Sequence, residues 1–184
     1  MKTILILFFC IVLLVTWKRI IYWKDKSLGK DFHSDFLKFG FLSRKFLSEI
    51  DYSVFEDWCY KLLDVNEYTD FLILSETFDG GVNFKCSYNN SPVYISISQC
   101  TQESESDFKK IERPDIQRLL GKMTHDNITN AVFITTGDFS KEAIEFISNL
   151  PEKYNIELIN GAKLTSLHRI YRRKEIFNFL QFEY

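Results

Sequence analysis

The stretch that decides the fold is Phe78-Asp79-Gly80-Gly81-Val82-Asn83-Phe84-Lys85-Cys86-Ser87-Tyr88-Asn89-Asn90-Ser91-Pro92-Val93-Tyr94-Ile95-Ser96-Ile97-Ser98-Gln99-Cys100-Thr101. It reads as turn, strand, tight turn, strand. Asp79-Gly80-Gly81 is a turn signal, because glycine reaches positive φ without a Cβ clash. Val82 to Tyr88 alternates and is able to pleat. Asn89-Asn90-Ser91-Pro92 breaks the run and favours a hairpin. Beyond it Val93, Ile95 and Ile97 point one way, and Tyr94, Ser96 and Ser98 the other. By the same alternation Lys85 is expected on the face of Asn83.

Outward from the hairpin, the flanks read as an alternation of helices and strands. Phe55, Trp58, Cys59, Leu62 and Leu63 give an apolar face to a helix at 53–65, with Ser53-x-x-Glu56 fitting a capping box. A strand follows at 70–76. Residues 101–112 are polar and acidic and read as a mobile loop. Pro114 suits the first turn of a helix reaching His125, with Ile116, Leu119, Leu120 and Met123 inward. Ala131 to Thr136 is a continuous apolar strand. Ser140 is the expected N-cap of the next helix, with Phe139 and Ile144 as its hydrophobic staple. Ile156 to Ile159 is the last strand, and Leu164 to Tyr171 a closing helix. The order αβββαβαβα predicts an α/β domain with a mixed sheet flanked by helices.

Composition bounds the function. The chain has 184 residues and a formal charge of −2. That charge is uneven: residues 1–50 sum to +5 and residues 51–184 to −7. A domain that grips duplex DNA therefore needs a local cationic patch, and Arg113, Arg118 and Lys122 are candidates on one helix face. Cys10, Cys59, Cys86 and Cys100 form no C-x-x-C pair, and His33, His125 and His168 lie far apart, so no zinc spacing exists.

Residues 3–17 are apolar throughout, and counting on to Trp23 gives about 30 Å of helix, enough to cross a bilayer. Trp17, Tyr22 and Trp23 suit the membrane interface. No small-x-small cleavage site precedes Lys18, which favours an uncleaved anchor. Lys18, Arg19, Lys24, Lys26 and Lys30 follow the span and only Lys2 precedes it, so the domain is expected on the cytoplasmic side of a single-pass membrane protein. The expected organisation is an anchor at 1–23, an amphipathic connector at 24–50, a domain at 51–171 and a tail at 172–184.

Several blocks carry a family resemblance: Asp79-Gly80-Gly81-Val82-Asn83, then Val93-Tyr94-Ile95, then Glu112-Arg113-Pro114-Asp115-Ile116-Gln117. Val132-Phe133-Ile134-Thr135-Thr136-Gly137-Asp138-Phe139-Ser140-Lys141-Glu142-Ala143 and Ile156-Glu157-Leu158-Ile159-Asn160-Gly161-Ala162-Lys163-Leu164 continue it. Over roughly residues 53–168 the chain resembles the Mrr-type restriction endonucleases of the PD-(D/E)xK superfamily, as a degenerate member. The resemblance implies a restriction-endonuclease-like fold, here preceded by one N-terminal transmembrane helix.

The same resemblance puts the metal-binding Asp of the family at Asn83. On the next strand it puts the family's Gln or acid, then Lys, at Ser96 and Ser98 if Val93-Tyr94-Ile95 sets the register, which aligns without a gap. In the other register they fall at Gln99 and Thr101. Neither supplies a lysine. Lys85 is a candidate migrated lysine, and Glu56 and Asp79 are candidate metal ligands, as a first-helix glutamate is in some relatives. Two readings stay open. One is a pseudo-nuclease that binds nucleic acid or a protein in defence against foreign DNA and uses no cofactor. The other is a Mg²⁺-dependent endonuclease with a rearranged site. The expected partners are the membrane through residues 3–23, DNA, and a protein.

Overall fold

The computed structural model of the protein describes residues 42–74, 80–104 and 107–181. The anchor at 1–23, most of the connector, Glu76 and Asp79 lie outside the described residues. Among those residues, no helix is long and apolar enough to cross a membrane.

The hairpin forms where the sequence places it. β2 (Phe84–Tyr88) and β3 (Ser91–Ser98) pair antiparallel from Phe84↔Ile95 to Tyr88↔Ser91. The connecting Asn89 and Asn90 both take positive φ, 49° and 61°. Asparagine tolerates that region, and two such residues twist in the sense the strands need. β1 (Thr69–Ile73) lies antiparallel on the outer side of β2, slipping register between Thr69 and Leu72. It ends three residues before the expected limit.

On the other side of β3, β5 (Asn130–Thr135) and β7 (Asn155–Ile159) run parallel to it, giving a mixed sheet of order β1-β2-β3-β5-β7. Two further short strands pair parallel outside this sheet, β4 (Lys110–Ile111) and β6 (Asp138–Phe139). They were not expected. Nor is the polar loop before β4 a free one in its described part: Gln102 bridges Phe108, and Phe108 is buried.

Alternation along β3 divides the molecule into two cores. Val93, Ile95 and Ile97 join Phe84, Cys86, Val132, Ile134 and Ile159 on one face. That face is covered by α2 (Tyr52–Val65) through Phe55, Trp58 and Leu62, and by α5 (Gly161–Gln181) through Leu164 and Tyr171. Tyr94 faces the other way, with Val82, Ala131, Phe133 and Ile156. There α3 (Arg113–His125) and α4 (Lys141–Ser148) supply Ile116, Leu119, Met123 and Ala143.

The helix starts show which capping arguments hold. Glu112 and Asp115 make a reciprocal capping box at α3, with Pro114 in the first turn. Ser140 caps α4, its Oγ accepting from Ala143 N at 3.2 Å. Ile144, the expected staple partner of Phe139, is 51 % exposed. The cap of α2 is Asp51, not Ser53: its Oδ1 accepts from Ser53 N at 2.9 Å. Glu56 is thereby released from the capping role assigned to it. The closing helix does not stop at Tyr171 but runs on to Gln181 through the stretch expected as a tail.

α1 (Arg44–Glu49) draws the end of the expected connector into the first core, where Leu47 is fully buried. Arg44 fastens it. Its Nε donates to Thr136 O, its Nη2 pairs with Asp138 at 2.8 Å, and its guanidinium lies 4.0 Å from the Phe108 ring centre. This closeness requires Gly161, where a Cβ would meet Arg44 Nε at 2.3 Å. Gly137 is equally constrained, a Cβ there meeting Lys109 O at 2.3 Å.

Candidate functional site

Asn83 sits just ahead of β2 and is 1 % exposed. Its backbone N–H donates to Ile95 O at 2.8 Å. Its side-chain Oδ1 accepts from Ile97 N at 2.7 Å, so the amide acts as one more rung beside β3. Its Nδ2 donates to Tyr52 Oη at 2.8 Å and to Glu56 Oε1 at 2.6 Å. Both partners belong to α2. The amide therefore welds the first helix to the mouth of the hairpin, with a carboxylate accepting one of its protons.

This arrangement breaks the alternation assumed from the sequence. Val82 packs in the second core, Asn83 turns to α2, and Phe84 packs in the first core. Two successive side chains thus serve one side of the sheet. Lys85 stands opposite Tyr94, on the other face, and is exposed. It does not share the face of Asn83, and the expectation that it stands in for a lysine beside that residue is not met.

The second strand divides in the same way. Ser96 Oγ donates to Gly81 O at 2.7 Å, and Ser98 Oγ lies 3.9 Å from Cys100 Sγ. Both serines follow Tyr94, away from α2. In the gapless register, therefore, Ser96 and Ser98 lie on the opposite face of β3 from Asn83. Gln99 turns to α1, where its Nε2 donates to Leu47 O and Ile50 O, each at 2.8 Å. These carbonyls close the end of α1, which lacks partners of its own there.

Ser96, Ser98 and Thr101 border one open cleft of about 500 Å³. Its rim carries Lys109, Lys110 and Arg118. Arg118 is tied to Asp115 at 2.6 Å, and both lysines are exposed. The other two cations expected beside Arg118 are spent elsewhere. Arg113 lies 4.9 Å from the Phe146 ring centre, and Lys122 pairs with Asp126 at 3.1 Å. The expected single cationic face is therefore replaced by a different set. Lys109 and Lys110 are not among the cations expected from the sequence; their position just before the Glu112 helix start is the signal that points to them.

Asp126 is the most strongly perturbed acid of the described residues. It accepts from Tyr94 Oη, then from His125 and Lys122, and these bonds hold its carboxyl far below the usual range. It lies on the α3 side, on the opposite face of β3 from Glu56.

Residues 47–168 match the model of the Mrr catalytic domain, described as restriction endonuclease. The chain belongs to the Mrr restriction endonuclease family. A similar solved structure is the MspJI restriction endonuclease in complex with a 27-mer oligonucleotide, 20 % identical with a TM-score of 0.44. The match covers 64 % of this chain and 28 % of that one, so the chain spans under a third of that enzyme's length. No curated protein matches.

In this Mrr domain residue 83 is an amide bonded to α2. Glu56 stands beside Asn83 as the acid of the first helix does in some relatives, and Tyr52, which also holds the amide, was not anticipated. The donors among the described residues do not fit a divalent cation. Mg²⁺ binds through charged oxygens, and among the described residues Glu56 is a carboxylate bonded to residue 83, already accepting its N–H. Among the described residues no three His, Cys, Asp or Glu side chains gather as a metal site.

Proposed function

We propose that this Mrr domain binds nucleic acid without cutting it, and that residues 3–23 hold it at the cytoplasmic face of a membrane, in defence against foreign DNA. The observation that carries the non-cutting part is the 2.6 Å bond from Asn83 Nδ2 to Glu56 Oε1. Two carboxylates at such a distance repel unless a cation lies between them, and that repulsion creates a metal site. An amide removes the repulsion and with it the need for the cation. Hydrolysis of a phosphodiester on this fold relies on the metal to activate water and to stabilise developing charge. Ser96, Ser98 and Thr101 supply no charge to replace it.

Binding is assigned to the cleft. Lys109 and Lys110 line it beside the hydroxyls of Ser96, Ser98 and Thr101, while Arg118 is held by Asp115; the two exposed lysines are the groups placed to meet phosphate oxygens without activating a nucleophile. Against the domain's overall negative charge, this local patch is able to attract a polyanion.

The test uses the full chain in nanodiscs or detergent. Fluorescence anisotropy with duplex and single-stranded DNA is expected to show binding that weakens steeply with salt. Lys109→Glu with Lys110→Glu should reduce it about tenfold and flatten the salt dependence. Incubation with Mg²⁺ or Mn²⁺ is expected to leave the DNA intact. Metal-dependent cleavage by clean protein, abolished by Glu56→Ala or Asp79→Ala, would establish the rival reading of a rearranged active site.

A further inference from the structure

The far end of α5 carries a pattern that the packing of the domain does not use. Leu164, His168 and Tyr171 bury its inner side. The opposite stripe, at spacings of three and four, carries Arg169, Ile170, Arg173, Ile176, Phe177 and Leu180. Ile170, Phe177 and Leu180 are each about half exposed, at 49 %, 59 % and 54 %. Arg169 and Arg173 are exposed between them. Lys174 is engaged differently, its Nζ donating to Val65 O at 2.6 Å, which pins the helix to the end of α2. Among the described side chains the helix is thus apolar on two opposite sides; the inner one meets the core, and the outer one stays largely exposed, with Arg173 and Phe177 bordering a pocket beside Val65.

We propose that the outer stripe of α5 lies on an anionic lipid surface, with Arg169 and Arg173 among the headgroup phosphates and Ile176, Phe177 and Leu180 at the acyl boundary. Interfacial helices combine these two features, and the binding gains from apolar burial and from charge together. Nucleic acid would take the two arginines but leave the aliphatic and aromatic side chains in water. A second copy packed on the stripe by two-fold symmetry would set Arg169 and Arg173 against the same charges. The lipid surface satisfies both halves of the pattern. The chain also holds the apolar run of residues 3–17 followed by Lys18-Arg19. The proposal builds on the anchored reading, and its test separates the two.

The experiment is hydrogen–deuterium exchange on the full chain in nanodiscs of phosphatidylcholine, in nanodiscs that include phosphatidylglycerol, and in detergent. Amides of residues 173–180 are expected to exchange at least about tenfold more slowly in the anionic membrane than in the other two. Arg169→Glu with Arg173→Glu, and separately Phe177→Ser, should remove the difference while leaving the melting temperature unchanged. Equal exchange in both membranes overturns the proposal. So does slowing that appears in detergent alone, on raising protein concentration, or on adding DNA without lipid, each of which assigns the stripe to another occupant. An alkaline carbonate wash reads the anchor independently. A chain that washes off yet shows the anionic protection sinks the anchor and keeps the stripe; a chain that stays yet shows no difference does the reverse.

Discussion

Replacing Asn83 by Asp tests the amide–carboxylate bond directly. The substitution is nearly isosteric and keeps the acceptor for Ile97 N, so the hairpin retains that rung. It removes the proton that Nδ2 places 2.6 Å from Glu56 Oε1. Two carboxylates relaxing to about 4 Å repel by about 4 kcal/mol at an effective dielectric of about 20. Glu56 is only half-buried, so water screens part of this and a net loss of about 2–4 kcal/mol is expected at pH 8. For a domain of this size that lowers the melting temperature by roughly 6–15 °C. The pH dependence follows from the sign. Repulsion raises the pKa of the pair in the folded state above its unfolded value, so the penalty is full at high pH and vanishes as pH falls below the unfolded value of about 4. A divalent cation should relieve the same penalty at high pH, by about 2.7 kcal/mol at a hundred times its Kd. The assay is thermal unfolding between pH 4 and 8 with and without Mn²⁺. Adding Glu56→Gln to the variant should restore stability and abolish the response to metal. A variant that melts like the parent at pH 8 and ignores Mn²⁺ would refute the contact and the argument built on it.

Three other substitutions probe the surroundings. Thr136→Val removes a hydroxyl that accepts from Cys100 N at 2.7 Å and donates to Cys100 O at 2.9 Å; leaving both buried groups unpaired should cost about 2–4 kcal/mol in urea unfolding. Gly137→Ala forces a Cβ to 2.3 Å from Lys109 O, and a fall of about 3 kcal/mol or more, or failure to fold, is expected from backbone that must shift. Asp126→Asn should lower the melting temperature at pH 7, with the gap to the parent closing in acid: the parent's depressed carboxyl contributes stability above its unfolded pKa of about 4 and loses it as pH falls toward the folded value. A gap independent of pH would rule out the charged form as the source.

The fold was legible wherever a local rule has one outcome. Asn89-Asn90 set a two-residue turn, the alternation of β3 set two cores, and Ser140 and Pro114 set two helix starts. The site was less legible because it depends on where strict periodicity stops. Between Val82 and Phe84 the chain places two side chains on one side of the sheet, and no composition signal marks that step. Lys85 is consequently expected on the wrong side relative to Asn83. Glu56 fitted a capping box in sequence, yet Asp51 lies two residues ahead of Ser53 and takes the cap first. The cations of α3 were counted as one face without the acids, Asp115 and Asp126, that neutralise two of them.

The two fastenings of α1 make it a mechanical coupler. Gln99 grips its last carbonyls from the end of β3, and Arg44 grips the turn after β5 from its first residue. Those two strand ends lie next to the cleft that Ser98 and Thr101 border. A pull applied at the start of α1 is carried by these bonds. It loads β3 and the β5–β6 turn together, and a pull strong enough to free α1 releases Gln99 and Thr136 O at the same moment.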